Sequence, residues 1–347
     1  MVTDVNIVVL AGGTSTERDV SLVSGDKIYN ALKSAGHKVL LLDVFLGLKV
    51  DSIEDVFERG EELSVDVKHI GEESPDLDAV KALREDGGKV FFGPNVLDIY
   101  KKADVVFMAL HGENGENGKV QAAFDLHGIR YTGTDYVSSA LAMDKALAKD
   151  IFRLYGIPTP EGYSLLKGEA DTHTPKLPVV VKVTDGGSSV GVYIARTTED
   201  YEKAKEAAFS YGHEIIVEQY IKGREFSVGV LDGEALPVIE IAPKGEFYDY
   251  KTKYQEGSAI ETCPAHLSKE ESDKMQKIAL DVFKALRLSQ YARMDIMMDE
   301  KGDMYCLEAN TLPGMTPMSL VPQEAAAIGM SYVDLCEKIV SMALDKE

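Results

Sequence analysis

Two apolar runs in the first third of the chain end alike, and that repetition limits the fold more than any other feature. Val5–Leu10 leads into Ala11-Gly12-Gly13-Thr14-Ser15 and then a helical pattern over about Val20–Ser34. Val105–Leu110 leads into His111, a glycine-rich turn and a helix over Lys119–Leu126. Lys38–Asp43 reads as a further strand. Short apolar strands alternating with helices specify an α/β unit whose parallel sheet is covered on both faces. Ligands of such sheets collect at the carboxyl ends of the strands, where both glycine-rich turns sit.

A helix is expected from Ser138 to Tyr155, with Leu147, Ile151, Leu154 and Tyr155 on one face. Gly156-Ile157-Pro158-Thr159-Pro160 stops it. Beyond Leu177 the texture turns to strands: Pro178–Val183, Val192–Ala195, Glu214–Gln219, Glu225–Leu231 and Ala235–Ile241. Helices near 198–210 and 269–286 intervene, and a helix over Tyr332–Ala343 closes the chain. This half reads as α+β. The expected division is 1–140, 141–222 and 223–347.

The net charge of −21 argues against nucleic acid or an anionic membrane as partner. Much of the excess is local: residues 51–86 carry thirteen Asp or Glu against four Lys or Arg, as a solvated surface excursion does. Cys263, Cys306 and Cys336 give neither a disulfide framework nor a metal spacing. The run Ile7–Ala11 is too short for a signal peptide or a membrane span, so the cytoplasm is expected.

Near the end, Arg293-Met294-Asp295 and Leu307-Glu308-Ala309-Asn310 flank the turn-rich Asp299-Glu300-Lys301-Gly302-Asp303. A hairpin pairing 299 with 304 sets Asp295 opposite Glu308 and Arg293 opposite Asn310. Met294, Ile296, Tyr305, Leu307 and Ala309 then form the core face. Carboxylates facing each other repel, unless a cation sits between them. Two carboxylates and an amide suit Mg²⁺, which takes few protein ligands and keeps places for phosphate oxygens. Ordinary surface charge on a solvated hairpin is the other reading.

Asp185-Gly186-Gly187-Ser188-Ser189-Val190-Gly191 joins two strands. Glycines let backbone N–H groups approach a phosphate, and serines add hydroxyl donors. Lys182 ends an apolar run and needs an anion or an exit to water. Glu218 and Glu225 flank Lys222-Gly223-Arg224. Glu225 suits ribose hydroxyls, although alone it reads as a surface glutamate. Phe247-Tyr248-Asp249-Tyr250 and Lys251-Thr252-Lys253-Tyr254 suggest a lid over an anionic substrate. Glu17, three residues after Thr14, fits a capping box. His111 suits a ligand contact or a structural role.

Together these segments resemble the ATP-grasp ligase family, most closely its D-alanine–D-alanine ligases. The resemblance runs through Ala11–Ser21, Ala109–Gly112, Met143–Lys145, Gly187–Gly191, Phe247–Tyr254, Glu308–Thr316 and Ser319–Pro322. It implies an ATP-grasp fold preceded by a Rossmann-like parallel α/β domain. It also implies ATP-dependent joining of two D-alanines through an acyl phosphate, for peptidoglycan synthesis, by a homodimer. Nothing in residue spacing distinguishes D from L.

By the family pattern, Lys145, Lys182, Gly187, Ser188 and Ser189 hold ATP phosphates. Glu218, Gln219, Tyr220 and Ile221 frame the adenine, and Glu225 takes the ribose. Asp295, Glu308 and Asn310 hold two Mg²⁺, with Mn²⁺ as a substitute. Glu17 takes the first substrate's ammonium, linked to Ser188 and Tyr254 across the lid, with His111 and Tyr248 on the substrate side. Lys253 faces the transferred phosphate. Arg293 and the Gly314 N–H stabilise the oxyanion, and Ser319 and Leu320 hold the second carboxylate. Departures from the pattern, at Val183, Asp185, Gln219 and Asn117, leave every metal ligand in place.

D-serine is the rival acceptor and D-lactate a more distant one. A nucleotide-binding protein without catalysis is opposed by the presence of Lys182, Lys253, Arg293, Asp295, Glu308 and Asn310. A dinucleotide oxidoreductase lacks its Gly-x-Gly-x-x-Gly, because Thr14-Ser15-Thr16 follows Gly12-Gly13.

Overall fold

The computed structural model describes residues 4–67, 75–187, 191–243 and 259–345. Strand β1 (Asn6–Ala11), helix α1 (Arg18–Ser34) and strand β2 (Lys38–Asp43) open the chain. Three short helices, α2 (Gly60–Leu63), α3 (Leu77–Ala82) and α4 (Val96–Lys102), precede β3 (Val105–Met108) and α5 (Lys119–His127). The strands form a parallel sheet in the order β2-β1-β3. Ile7 to Ala11 are wholly buried, which is why β1 is apolar throughout rather than alternating. β3 stops at Met108, two residues short of the expected end, and the Ala109 carbonyl accepts from the Ser21 hydroxyl instead (2.7 Å).

The expected capping box is absent: Glu17 is itself the N-cap of α1 and makes no side-chain cap hydrogen bond. The start of α1 is fixed from the next residue. The buried Arg18 guanidinium pairs with Asp43 and donates to the Gly13 carbonyl (2.7 Å).

The expected helix from Ser138 to Tyr155 is two, α6 (Tyr136–Met143) and α7 (Lys145–Leu154). Asp144 breaks it in an extended conformation and caps α7 through the N–H groups of Ala146 and Leu147 (both 3.0 Å). The expected apolar face is not the buried one. Leu147, Leu154 and Tyr155 are exposed, while Lys145, Ala148, Lys149 and Phe152 turn inward. Two carboxylates draw those lysines in, and ion pairing overrides the apolar periodicity.

Strands β4 (Gly162–Leu166), β5 (Val179–Val183), β6 (Val192–Ala195), helix α8 (Thr198–Ala208) and strand β7 (Glu214–Gln219) follow. They build an antiparallel sheet in the order β4-β7-β5-β6. β4 was not expected from the sequence: it is an edge strand that buries only Leu165.

Strands β8 (Gly223–Leu231), β9 (Glu234–Ala235), β10 (Ile239–Pro243) and β11 (Ala259–Thr262) come next. The expected strand over Ala235–Ile241 is thus interrupted, and Pro237, which has no N–H to give a ladder, lies in the gap. Helix α9 (Lys269–Ala285), the hairpin β12 (Tyr291–Asp299) and β13 (Met304–Asn310), and helices α10 (Leu320–Ala327) and α11 (Tyr332–Leu344) complete the fold. The main sheet runs β11-β10-β8-β12-β13. α11 returns to the first core with Leu335, Ile339 and Val340, and Glu337 meets His37 at 2.6 Å.

The hairpin pairs Arg293 with Asn310 and Asp295 with Glu308, as the sequence suggested. Beyond Asp295 the register slips by one and Leu307 has no ladder partner. The slip changes the core face. Met294, Ala309, Ile296, Cys306, Met298 and Met304 are buried, whereas Tyr305 and Leu307, expected there, are only half-buried.

Candidate active site

A cavity of about 820 Å³ opens where the first sheet, α7 and the main sheet converge. From the segments that follow β1 and β3 come Glu17, the N-cap of α1, and His111, both buried. His111 Nδ1 meets the Leu312 carbonyl (3.0 Å) and Nε2 the Ser24 hydroxyl (3.2 Å). Burial lowers its pKa, with Glu17 opposing and Arg293 reinforcing, so the ring stays neutral. Gly112 has φ +73°, and a Cβ there would stand 2.9 Å from Glu17 Oε2. The glycine therefore leaves room for the Glu17 carboxylate.

The main sheet supplies Arg293, Asp295, Glu308 and Asn310. Because they are cross-strand pairs, they share one face. The Arg293 guanidinium donates twice to Asp295 (2.9 and 2.8 Å), and Ser227 donates to the same carboxylate (3.2 Å). Lys145 Nζ lies 3.3 Å from Glu308 and donates to the Gly186 carbonyl (2.5 Å). It thereby ties the hairpin to the start of the glycine-rich loop. Gly187 also faces the cavity, and a Cβ on it would lie 3.2 Å from Glu17 Oε2. Glu225 lines the rim. Asn310 Oδ1 accepts from the Leu312 N–H (3.1 Å). At the far wall Gly314 abuts Ser319, whose hydroxyl meets Thr316 Oγ1 (2.9 Å), and Leu320 begins α10.

Lys182 and Glu218 lie behind the cavity on neighbouring strands, both buried, at 2.6 Å. Burial raises the Glu218 carboxyl, but Lys182 and Lys149 outweigh it and hold the group below its ordinary range. Gln219, Tyr220 and Ile221 follow at the end of β7, exposed, half-buried and buried in turn. Ser188, Ser189, Tyr248, Lys253 and Tyr254 lie outside the described residues.

Sequence reasoning missed two residues here. Glu116 lines the cavity, and burial raises its carboxyl well above the usual range, with Glu17 adding to the effect. Its signal was a carboxylate between glycines just after His111. Lys149 was readable only as one helical turn past Lys145.

The geometry offers hard oxygen donors, an arginine and a lysine around one space large enough for a nucleotide and small substrates, with Lys182 buried behind it. Family models for the D-ala D-ala ligase N-terminus and C-terminus match residues 6–134 and 155–341. The D-alanine–D-alanine ligase of Pediococcus pentosaceus is 45% identical over 96% of both chains. That of Lacticaseibacillus casei is 42% identical over 96% of this chain and 94% of the relative. Among solved structures, the Bacillus anthracis D-alanine–D-alanine ligase complexed with ATP superposes with TM-score 0.72 at 30% identity, covering 98% of this chain and 97% of that one. The Coxiella burnetii enzyme gives 0.77 at 27% identity, over 99% and 95%. Matched in both its parts and along nearly its whole length, the chain belongs to the D-alanine–D-alanine ligase family.

Proposed function

We propose that the protein joins two D-alanines into D-alanyl-D-alanine, driven by cleavage of ATP to ADP and phosphate, for peptidoglycan synthesis. The observation that carries this reading is the shared face of Arg293, Asp295, Glu308 and Asn310, in one cavity with Glu17 and the start of α10.

In this reading Glu17 binds the ammonium of the first D-alanine, with neutral His111 beside it. Lys145, Lys182 and the loop from Gly187 through Ser188 and Ser189 take the phosphates. Glu218 to Ile221 hold the adenine and Glu225 the ribose. Phosphoryl transfer is mostly positioning and charge neutralisation, which this set of cations supplies.

Asp295, Glu308 and Asn310 would hold two Mg²⁺, or Mn²⁺ in their place. The donor chemistry fits: all three offer hard oxygens. Among the described residues no group of three His, Cys, Asp or Glu side chains is arranged for a metal; Mg²⁺ takes few protein ligands, and phosphate oxygens would complete its shell. When bound, the metal would neutralise phosphate charge.

Arg293 and the Gly314 N–H stabilise the oxyanion formed when the second amine attacks the acyl phosphate. The second carboxylate rests at Ser319 and Leu320, at the start of α10, where a helix N-terminus favours an anion. Keeping water from the acyl phosphate is the role proposed for Tyr248, Lys253 and Tyr254.

We further propose a three-part chain divided near 140 and 222, and a cytoplasmic homodimer. No helix among the described residues is long and apolar enough to cross a membrane. D-serine is the competing acceptor, because a small apolar pocket discriminates weakly against one added hydroxyl. The test is an acceptor panel of D-Ala, D-Ser, D-lactate and L-Ala, scored by ATP-dependent product mass. D-Ala should give the dominant product, and a dominant D-Ser product would replace this reading.

A further inference from the structure

Lys149 lies on the inward face of α7, one turn beyond Lys145, with no solvent exposure at all. Its ammonium pairs with one oxygen of Glu218 and donates to Thr159 Oγ1 at 2.9 Å. Thr159 in turn donates to the Cys306 carbonyl at 2.8 Å. The other oxygen of Glu218 is held by Lys182 at 2.6 Å. One buried carboxylate thus carries two ammonium groups, and the trio has a surplus positive charge.

Such a surplus is costly in a low-dielectric interior unless an anion shares it. The two lysines are not equivalent. Lys149 has no surface through which to meet a ligand, and burial together with the charge of Lys182 pulls its pKa down to about 8 against the attraction of Glu218. Lys182 keeps a small exposed fraction, lies one residue before the end of β5, which leads to the glycine-rich loop, and is also drawn by the charge of Glu308. Of the pair, Lys182 is the one that an incoming anion can recruit.

We propose that Lys149 is a positioning residue for the nucleotide: it keeps Glu218 ionised and fixed, so that Lys182 is free to leave for a phosphate. This rests on the ATP reading above. Lys149 touches no ligand and acts through Glu218. Without it, Lys182 becomes the sole counter-charge of a buried carboxylate and is held there. Removing one partner of a buried ion pair leaves an uncompensated charge, so Lys182 can then reach a phosphate only at that cost.

The test is calorimetric titration of the full-length protein with ADP and magnesium, with melting temperature and the KM for D-alanine read alongside. Lys149→Met should weaken ADP binding by about tenfold or more, because retention of Lys182 costs more than one such factor in free energy. The KM for D-alanine should stay within about twofold. Adding Glu218→Gln to Lys149→Met should recover part of the ADP affinity, because the neutral amide no longer retains Lys182. A merely structural lysine predicts the reverse, a double variant weaker than either single one. Lys149→Gln, which keeps a hydrogen bond to Thr159 but no charge, should lose ADP as Lys149→Met does and decides the matter if the latter does not fold. Wild-type ADP affinity in Lys149→Met or in Lys149→Gln, or full additivity in the double variant, overturns the proposal. Failure of the wild-type protein to bind ADP would instead overturn the ATP reading beneath it.

Discussion

The Glu324 carboxylate accepts the backbone N–H of Gly229 at 2.6 Å, in space that a side chain on residue 229 would occupy. Gly229 pairs with Arg293 across the sheet, so Glu324 fills a gap on the Arg293 face. Among the described residues its buried Oε1 has no hydrogen-bond partner. Burial pushes this carboxyl up to about 8, with Asp295 adding and the Gly229 N–H and Arg293 opposing.

A carboxyl whose folded pKa lies above its unfolded value binds its proton longer in the folded state. Its contribution to stability is whole below the ordinary glutamate range and is lost as pH rises through about 8. Glu324→Gln keeps an acceptor for Gly229 and removes the titration. Its stability relative to wild type should rise by more than about 1 kcal/mol between about pH 5 and pH 8. Denaturant midpoints across that range check this, and parallel pH profiles would contradict it.

Gly229→Ala should be destabilising for the complementary reason. The added methyl overlaps the Glu324 carboxylate in a fully packed region, which costs about 1–3 kcal/mol. The combination with Glu324→Ala should recover most of the loss, and a simple sum of the two effects would show that they do not share this space.

Arg18→Met removes one partner of a buried ion pair and leaves Asp43 uncompensated. The expected cost is about 3–5 kcal/mol in chemical denaturation. Because Arg18 directly follows Glu17 and anchors the start of α1 to Asp43 and Gly13, a folded variant should also show a raised KM for the first D-alanine.

Asp144→Ala removes the side chain that separates α6 from α7 and should cost about 1 kcal/mol of stability. It also frees the register of Lys145, so the KM for ATP should rise while that for D-alanine holds.

What the sequence revealed, and what it hid, follows the physics of each element. β2 was legible to its end residues because a buried parallel strand is a bounded apolar run. The opposition of Asp295 to Glu308 was legible because alternation fixes a face. The slip beyond Asp295 was not, since one unpaired residue leaves no mark in composition, and it exchanged Tyr305 and Leu307 for Cys306 and Met304 in the core. α7 misled because its apolar face is the exposed one, while Lys145 and Lys149 are drawn inward by Glu308 and Glu218. Those carboxylates come from distant strands, which helix periodicity cannot see. The family resemblance supplied roles that spacing alone left open, as for Glu17 and His111.

Glu308→Gln combined with Asn310→Ala removes two of the three proposed metal ligands from an intact sheet face. Turnover should fall below detection while the circular dichroism spectrum and melting temperature stay near those of wild type.

The most direct measurement is phosphate release from ATP with D-alanine and magnesium varied independently, with dipeptide counted by mass. Release should require both and yield one dipeptide per phosphate. ATP turnover indifferent to D-alanine, or dipeptide formed with magnesium chelated, would contradict the assignment of this site.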